Sequence, residues 1–328
     1  MLLAKELGLA KYQTIKQAIT DLFGCSEFTE LRLLEGGKSS SQLFYAVVQK
    51  KRLVIRVMGL DQDLADREQQ ITCLKIAAEH GIAPKCYDAD ANAGLIIMEF
   101  IEAKPFANSS QHCLELARLL RKLHQLDNFP PAYFGLFDYI NSLINALNQT
   151  PLSAQLTAYF AQIAQIQTLL KPHLIVCAAH NDLHESNILF DGSRLYLIDW
   201  EAAGGEDPFF DLAAICTQLY TNQDQLDFLR AYFGKMPEPY HRAKICLMQQ
   251  IGYCYTALHF LQFAVQAGLS LTDFSLDETI PNLQTWSSGK NALTCAEDYL
   301  LFAKVQIKTS LQEMQTLSYQ RALSTFEP

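Results

Sequence analysis

Short apolar runs broken by polar turns fill the first hundred residues. Leu31–Leu34, Gln42–Val48, Leu53–Met58 and Leu95–Phe100 are β-branched or aromatic stretches with polar boundaries, the pattern of strands. Between Asp63 and His80 the period changes: Leu64, Ile71, Leu74 and Ala78 recur at helical steps, which predicts an amphipathic helix lying on a sheet, stopped by Gly81. A polar stretch, Glu102–Gln111 with Pro105 inside it, reads as a connector. Beyond it Cys113–Leu126, Ala154–Leu170, Tyr240–Ala267 and Cys295–Leu317 all carry helical periodicity. One exception is embedded among them: Ile188–Phe190, the turn pair Asp191-Gly192, and Leu195–Ile198 predict a β-hairpin. The pattern predicts an α+β chain: a small sheet with one helix over residues 1–101, and a larger, mainly helical part over 102–328.

Composition narrows the class. With 328 residues, 49% of them hydrophobic and 19% charged, the chain has the make-up of a globular protein large enough for two lobes sharing a cleft. Lys5 and Glu6 interrupt the apolar N-terminus, and no run reaches the ~18 apolar residues of a membrane span, so a cytoplasmic location is expected. Nine cysteines without a C-x-x-C pair fit reduced thiols better than a disulfide framework. A net charge of −9 argues against nucleic acid as a partner. From Asp199 to Leu229 there are acidic residues but no Lys or Arg, which suits either a solvated face or a cleft for a cationic small molecule.

The most informative stretch is His180-Asn181-Asp182-Leu183-His184-Glu185-Ser186-Asn187, which runs into the hairpin, and Leu197-Ile198-Asp199-Trp200-Glu201, which leaves it. Phosphoryl transfer needs a carboxylate at the attacking hydroxyl, an amide oxygen on the metal, and a second carboxylate between metal and phosphates. Asp182, Asn187 and Asp199 supply these in order, and the intervening hairpin is the element that returns Asp199 to the other two.

These motifs resemble the aminoglycoside phosphotransferase and choline kinase superfamily, built on the two-lobed protein-kinase-like fold. Asp207-Pro208-Phe209-Phe210-Asp211-Leu212-Ala213 matches the D-P-x-x-D-L-A stretch that commonly follows. The resemblance implies an ATP- and Mg2+-dependent kinase acting on a small-molecule hydroxyl, with Asp182 as base, His180 supporting the loop, and Asn187 and Asp199 as metal ligands. Gly36, Gly37, Ser39 and Ser40, lying between two strands, would approach the phosphates through their backbone, although Gly-Gly between strands is also an ordinary hairpin turn. Arg56 stands where the fold normally has a phosphate-binding Lys, and Glu68 on the next helix would be its ion-pair partner. Glu99 and Ile101, in Met98-Glu99-Phe100-Ile101, resemble the hinge that meets adenine through its main chain. Asn181 and Ser186 stand where many relatives have Gly, and Asn tolerates a positive φ better than Ser. No A-P-E motif follows Asp199, which argues against a protein kinase.

Substrate choice is less legible. Tyr253, Tyr255, His259, Phe260 and Phe263 share one long helix, and Trp286 lies in a polar, loop-like region. Aromatic faces beside carboxylates bind quaternary ammonium groups, although aromatic residues at helical spacing also make ordinary core. Glu201, Tyr253 and Trp286 are therefore candidate substrate contacts for a cationic amino alcohol such as choline or ethanolamine. An aminoglycoside or thiamine acceptor, or a silent kinase-like binding module, are the alternatives.

Overall fold

The computed structural model describes residues 8–25, 27–34, 41–59, 62–105, 110–132, 135–149, 151–219, 222–277, 279–281, 283, 286 and 293–327. The chain divides into two compact units, Met1–Tyr133 with Ala178–Gly205, and Phe134–Cys177 with Glu206–Pro328.

In the first unit, β1 (Glu30–Leu33), β2 (Gln42–Val48), β3 (Lys51–Val57), β4 (Cys86–Asp90) and β5 (Leu95–Glu99) form an antiparallel sheet in the order β1-β2-β3-β5-β4. Alternation along the strands decides which face is which. Phe44, Ala46, Val48, Leu53, Ile55, Val57, Leu95 and Ile97 point to one face and bury Ile15 and Ile19 of α1 (Leu9–Phe23). By register the opposite face carries Tyr45, Val54 and Met98 in one row, and Leu43, Arg56 and Ile96 in the next. A strand that reads as apolar can therefore deliver a guanidinium to the face that α1 leaves free. The β2–β3 turn is Gln49-Lys50, both left-handed with φ of 48° and 65°, the geometry of a two-residue hairpin turn without glycine.

Helix α2 (Leu64–Glu79) follows the sequence expectation, with Asp63 at its N-cap position and Gly81 left-handed at φ 65° just past its end. The same unit holds α3 (Ser110–Leu123), the hairpin β7 (Ile188–Phe190) and β8 (Leu195–Leu197), and all but the outer residue of each of β6 (Cys177–Ala179) and β9 (Gly204–Glu206), which pair in a two-stranded sheet. The hairpin is tied to the segments flanking the sheet, since Leu197 donates its amide to the Ile82 carbonyl past α2 at 2.9 Å and Lys104, past β5, donates to Phe190 at 2.7 Å.

The second unit is helical: α4 (Leu136–Leu147), α5 (Ala154–Leu170), α6 (Pro208–Gln218), α7 (Asn222–Phe233), α8 (Pro239–Gln266), α9 (Ala296–Glu313) and α10 (Leu317–Phe326). Its axis is α8, which packs against α4, α5, α6, α9 and α10, and so is buried on most sides along 28 residues. The continuous helix expected over Cys295–Leu317 is broken between α9 and α10, where the Thr316 hydroxyl accepts the Tyr319 amide at 3.2 Å and restarts the helix. Among the described residues no helix is long and apolar enough to cross a membrane.

Candidate active site

Strand β6 delivers His180 into full burial. Its Nε2 donates to the Ile198 carbonyl at 2.9 Å, which fixes the tautomer, and its ring lies 4.9 Å from that of Trp200. The loop then turns through Asn181 at φ 66°, the left-handed conformation that Asn accepts more readily than most residues. Ser186 sits instead in a 3₁₀ turn, Glu185–Asn187, where no positive φ is needed. That turn closes the five-residue step. The Asn187 amide nitrogen donates to the Asp182 carbonyl at 2.9 Å and to its carboxylate at 3.2 Å.

Hairpin β7–β8 carries the chain out and back. Its turn is built on Asp191, which accepts the Ser193 amide and hydroxyl at 2.7 Å each and the Arg194 amide at 2.9 Å. Those donors, the Ser193 hydroxyl foremost, hold the Asp191 carboxyl well below the usual aspartate range. The Ile198 amide then donates to the Asn187 carbonyl at 3.0 Å, setting Asp199 beside the loop it left. Asp199 itself is left-handed at φ 64°, a strained conformation of the kind that gathers at functional sites.

Arg56 reaches this acidic strand end. Its two terminal nitrogens donate to Asp199 and Glu201 at 2.8 Å each, and its side chain is only 8% exposed. Glu68, expected as its partner, is exposed on α2 and makes no side-chain bond among the described residues. The helix turns Arg67, Gln70, Ile71 and Leu74 inward, which leaves position 68 on the outer face, and the two acidic residues after β8 take the pairing instead. The Arg56 Nε is buried without a protein partner among the described residues.

Burial raises the Glu201 carboxyl above its ordinary value, the negative charges of Asp199 and Asp182 raise it further, and Arg56 opposes both. One guanidinium thus pairs with two carboxylates, with the charge of Asp182 felt at the second. Carboxylate oxygens with the Asn187 amide are the hard donor set of a magnesium ion, which typically takes one or two carboxylates and completes its shell with phosphate oxygens and water. Among the described residues no three His, Cys, Asp or Glu side chains form a metal cage of their own. The residues fit the ion.

Other expected site residues fare differently. Glu99 closes β5, its amide donating to Lys85 at 2.8 Å, and the Phe100 amide donates to Arg52 at 3.1 Å. The next amide, Ile101, has no backbone partner among the described residues. Gly36, Gly37, Ser39 and Ser40 lie outside the described residues. Tyr253 is not an open contact: it is buried, its hydroxyl donates to Glu313 at 2.8 Å, and burial pushes its pKa up. Trp286 is likewise corrected. Despite polar sequence neighbours it packs into a cluster with Ile280 and Val305, its ring 5.4 Å from Phe302. The helical unit gathers a different aromatic set, Tyr139 with Tyr255 and His259, at ring distances of 6.0 and 5.7 Å, with Phe210 5.6 Å from Tyr255. Tyr139 lies on α4 and Tyr255 on α8, far apart along the chain, so only tertiary structure could find the pair.

The five-stranded sheet and the helical unit agree with the comparisons. Residues 30–244 match the phosphotransferase enzyme family, and the chain belongs to that family. This is the class of enzymes that moves a phosphoryl group from ATP to an alcohol. The chain is 25% identical over 246 residues to Protein LicA of Haemophilus influenzae, covering 69% of this chain and 90% of that one. Among solved structures it resembles a choline/ethanolamine kinase family protein from Mesorhizobium loti, with TM-score 0.72, 20% identity, and coverage of 96% of this chain and 99% of the other. Choline kinase LicA from Streptococcus pneumoniae is similar at TM-score 0.65 and 21% identity, with 96% and 98% covered.

Proposed function

We propose that the protein is an ATP- and magnesium-dependent kinase that phosphorylates the hydroxyl of a cationic amino alcohol such as choline or ethanolamine. Residues 1–101 act as the nucleotide lobe and residues 102–328 as the catalytic and substrate lobe. The observation that carries the reading is the pairing of Asp182 with Asn187, and of Asp199 and Glu201 with Arg56, on two segments that the Ile198 amide joins at the Asn187 carbonyl. Asp182 takes the proton of the acceptor hydroxyl, and His180 holds the loop through Ile198. Asn187 and Asp199 hold the metal, which when bound offsets the charge developing on the transferred group. Arg56 grips the phosphates, and the Ile101 amide meets the adenine edge. Similarity to choline and ethanolamine kinases supports the substrate class, as does the Tyr139–Tyr255–His259 cluster, whose ring faces suit a quaternary ammonium.

The test is magnesium-dependent ADP release from ATP over choline, ethanolamine, thiamine and several aminoglycosides, with Asp182→Asn as control. Turnover with choline or ethanolamine alone, lost in the control, is the expected result. Turnover only with an aminoglycoside or thiamine would replace the substrate class while keeping the mechanism. Absence of turnover with every acceptor would favour the silent binding module.

Arg56 has a second consequence. Without nucleotide it already pairs with Asp199, the carboxylate that the metal needs, and with Glu201 beside it, so it competes with the ion; with nucleotide it serves the phosphates. In Arg56→Met, Mn2+ alone should bind several-fold more tightly by electron paramagnetic resonance. The KM for ATP should rise roughly tenfold or more, the cost of a lost charge-assisted contact of ~1.5–3 kcal/mol. Weaker binding of the bare ion in this variant would overturn the competition.

A further inference from the structure

The turn that follows the acidic motif is held by more bonds than its length requires. Ala203 donates its amide back to the Trp200 carbonyl at 3.2 Å, so Glu201 sits at the tip of a closed turn. Each carbonyl from Ala202 to Gly205 then has a donor. Ala202 and Gly204 accept from the Asn181 side chain at 3.0 and 3.5 Å. Ala203 accepts the Gln69 side-chain amide at 2.9 Å and the Cys73 thiol at 3.5 Å. Gly205 accepts the Ala132 amide at 3.3 Å and donates its own to Pro130 at 2.8 Å. The packing leaves no slack, since a Cβ on Gly204 would stand 2.6 Å from the Ala132 Cα and 2.9 Å from the Gln69 Nε2.

We infer that Gln69 is a positioning residue for the acidic turn: through the Ala203 carbonyl it ties helix α2 to Asp199 and Glu201. The helix-to-site link expected from sequence, an ion pair from Glu68 to Arg56, is absent. Gln69, one position on, supplies the link by a neutral bond to the turn's backbone. An amide is suited to this task. A carboxylate at position 69 would face the carbonyl as a second acceptor, and a hydrocarbon would leave that carbonyl with only a weak thiol donor. Because Asp199 is left-handed, and such a conformation persists only when its surroundings over-determine it, releasing the far foot of the turn lets Asp199 drift from the ion it holds.

The inference rests on Asp199 as a metal ligand, and the experiment separates the two. Mn2+ affinity in the presence of ADP is measured by electron paramagnetic resonance for wild type, Gln69→Met, Gln69→Glu, Cys73→Ala and Asp199→Asn, alongside kcat, KM and melting temperature. Loss of one hydrogen bond predicts that Gln69→Met weakens the metal by about five- to tenfold and lowers kcat similarly, with acceptor KM within about twofold. Gln69→Glu should lose more. Cys73→Ala, which loosens the packing of the same helix but keeps the amide, should lower the melting temperature and leave metal affinity unchanged. Wild-type metal affinity in both Gln69 variants would overturn the inference, as would an equal loss in Cys73→Ala, since the effect would then not depend on the Gln69 amide. Unchanged affinity in Asp199→Asn would overturn the metal assignment itself.

Discussion

Asp182→Asn is expected to lower kcat by about a thousandfold while ATP affinity stays within about twofold of wild type. A positioned general base contributes roughly 10²–10⁴ in rate, and the loose transition state of phosphoryl transfer places the effect inside that range rather than above it. The substitution is close to isosteric. The new side-chain amide can keep an oxygen toward Asn187, whose amide nitrogen donates to the Asp182 carboxylate at 3.2 Å and to its carbonyl at 2.9 Å, so the loop conformation is retained. What it cannot do is take a proton. Asp182 is also reachable, with 37% of its side chain exposed, as a group that must meet an acceptor has to be. Single-turnover kinetics with the cognate acceptor, together with equilibrium nucleotide binding, separate the two quantities. Turnover within tenfold of wild type would remove Asp182 as the base, and a parallel loss of ATP affinity would mean that the loop had moved.

The legible part of the site is the part written in contiguous sequence. Asp182, Asn187 and Asp199 can be proposed because spacing, an apolar strand, a turn and a returning strand all constrain one another; in the structure Asn187 bonds Asp182, and the hairpin returns the chain before Asp199 to Asn187. Arg56 can be read because an arginine inside an apolar strand needs a reason. The helix residue that ties α2 to the acidic turn cannot be. Which face of α2 meets the sheet depends on packing, and one position of error, Glu68 for Gln69, moves a side chain about 100° around the helix. Gln69 leaves no signal at all, because its function is a bond to a main-chain carbonyl.

The fold shows the same division. Strands β1, β2, β3 and β5 are visible in their apolar alternation, whereas β4 is hidden by Asp88 and Asp90 in an edge strand, where charge is tolerated. Helix α1 is missing from the sequence expectation although Ile15, Ala18, Ile19 and Leu22 keep a helical step and meet the sheet. Trp286 misleads in the opposite sense. Polar residues beside it in sequence suggest exposure, but burial is decided by neighbours in space, here Ile280, Val305 and Phe302. Asp211, a residue type that could cap α6, is buried in that helix's first turn, and Asp207 makes the cap, accepting the Phe209 amide at 2.9 Å.

That cap sets up the largest stability effect. Lys244 of α8 is fully buried, its ammonium donating to Asp207 and to the His173 carbonyl at 2.6 Å each. Asp207 also accepts the Ile175 amide at 2.8 Å, so one carboxylate joins α6, α8 and the chain after α5. Lys244→Met would strand a buried anion, and breaking such a pair from one side typically costs about 3–5 kcal/mol. Asp207→Asn alone should cost less in charge but leave the ammonium unpaired. The double variant, neutral on both sides, should lie well short of the sum of the two, because the penalty arises from an unmatched charge and not from the loss of attraction. Urea unfolding at neutral pH measures all three. If Lys244→Met lost less than about 1 kcal/mol, or if the two changes simply added, the buried pair would not be what fixes α6 against α8.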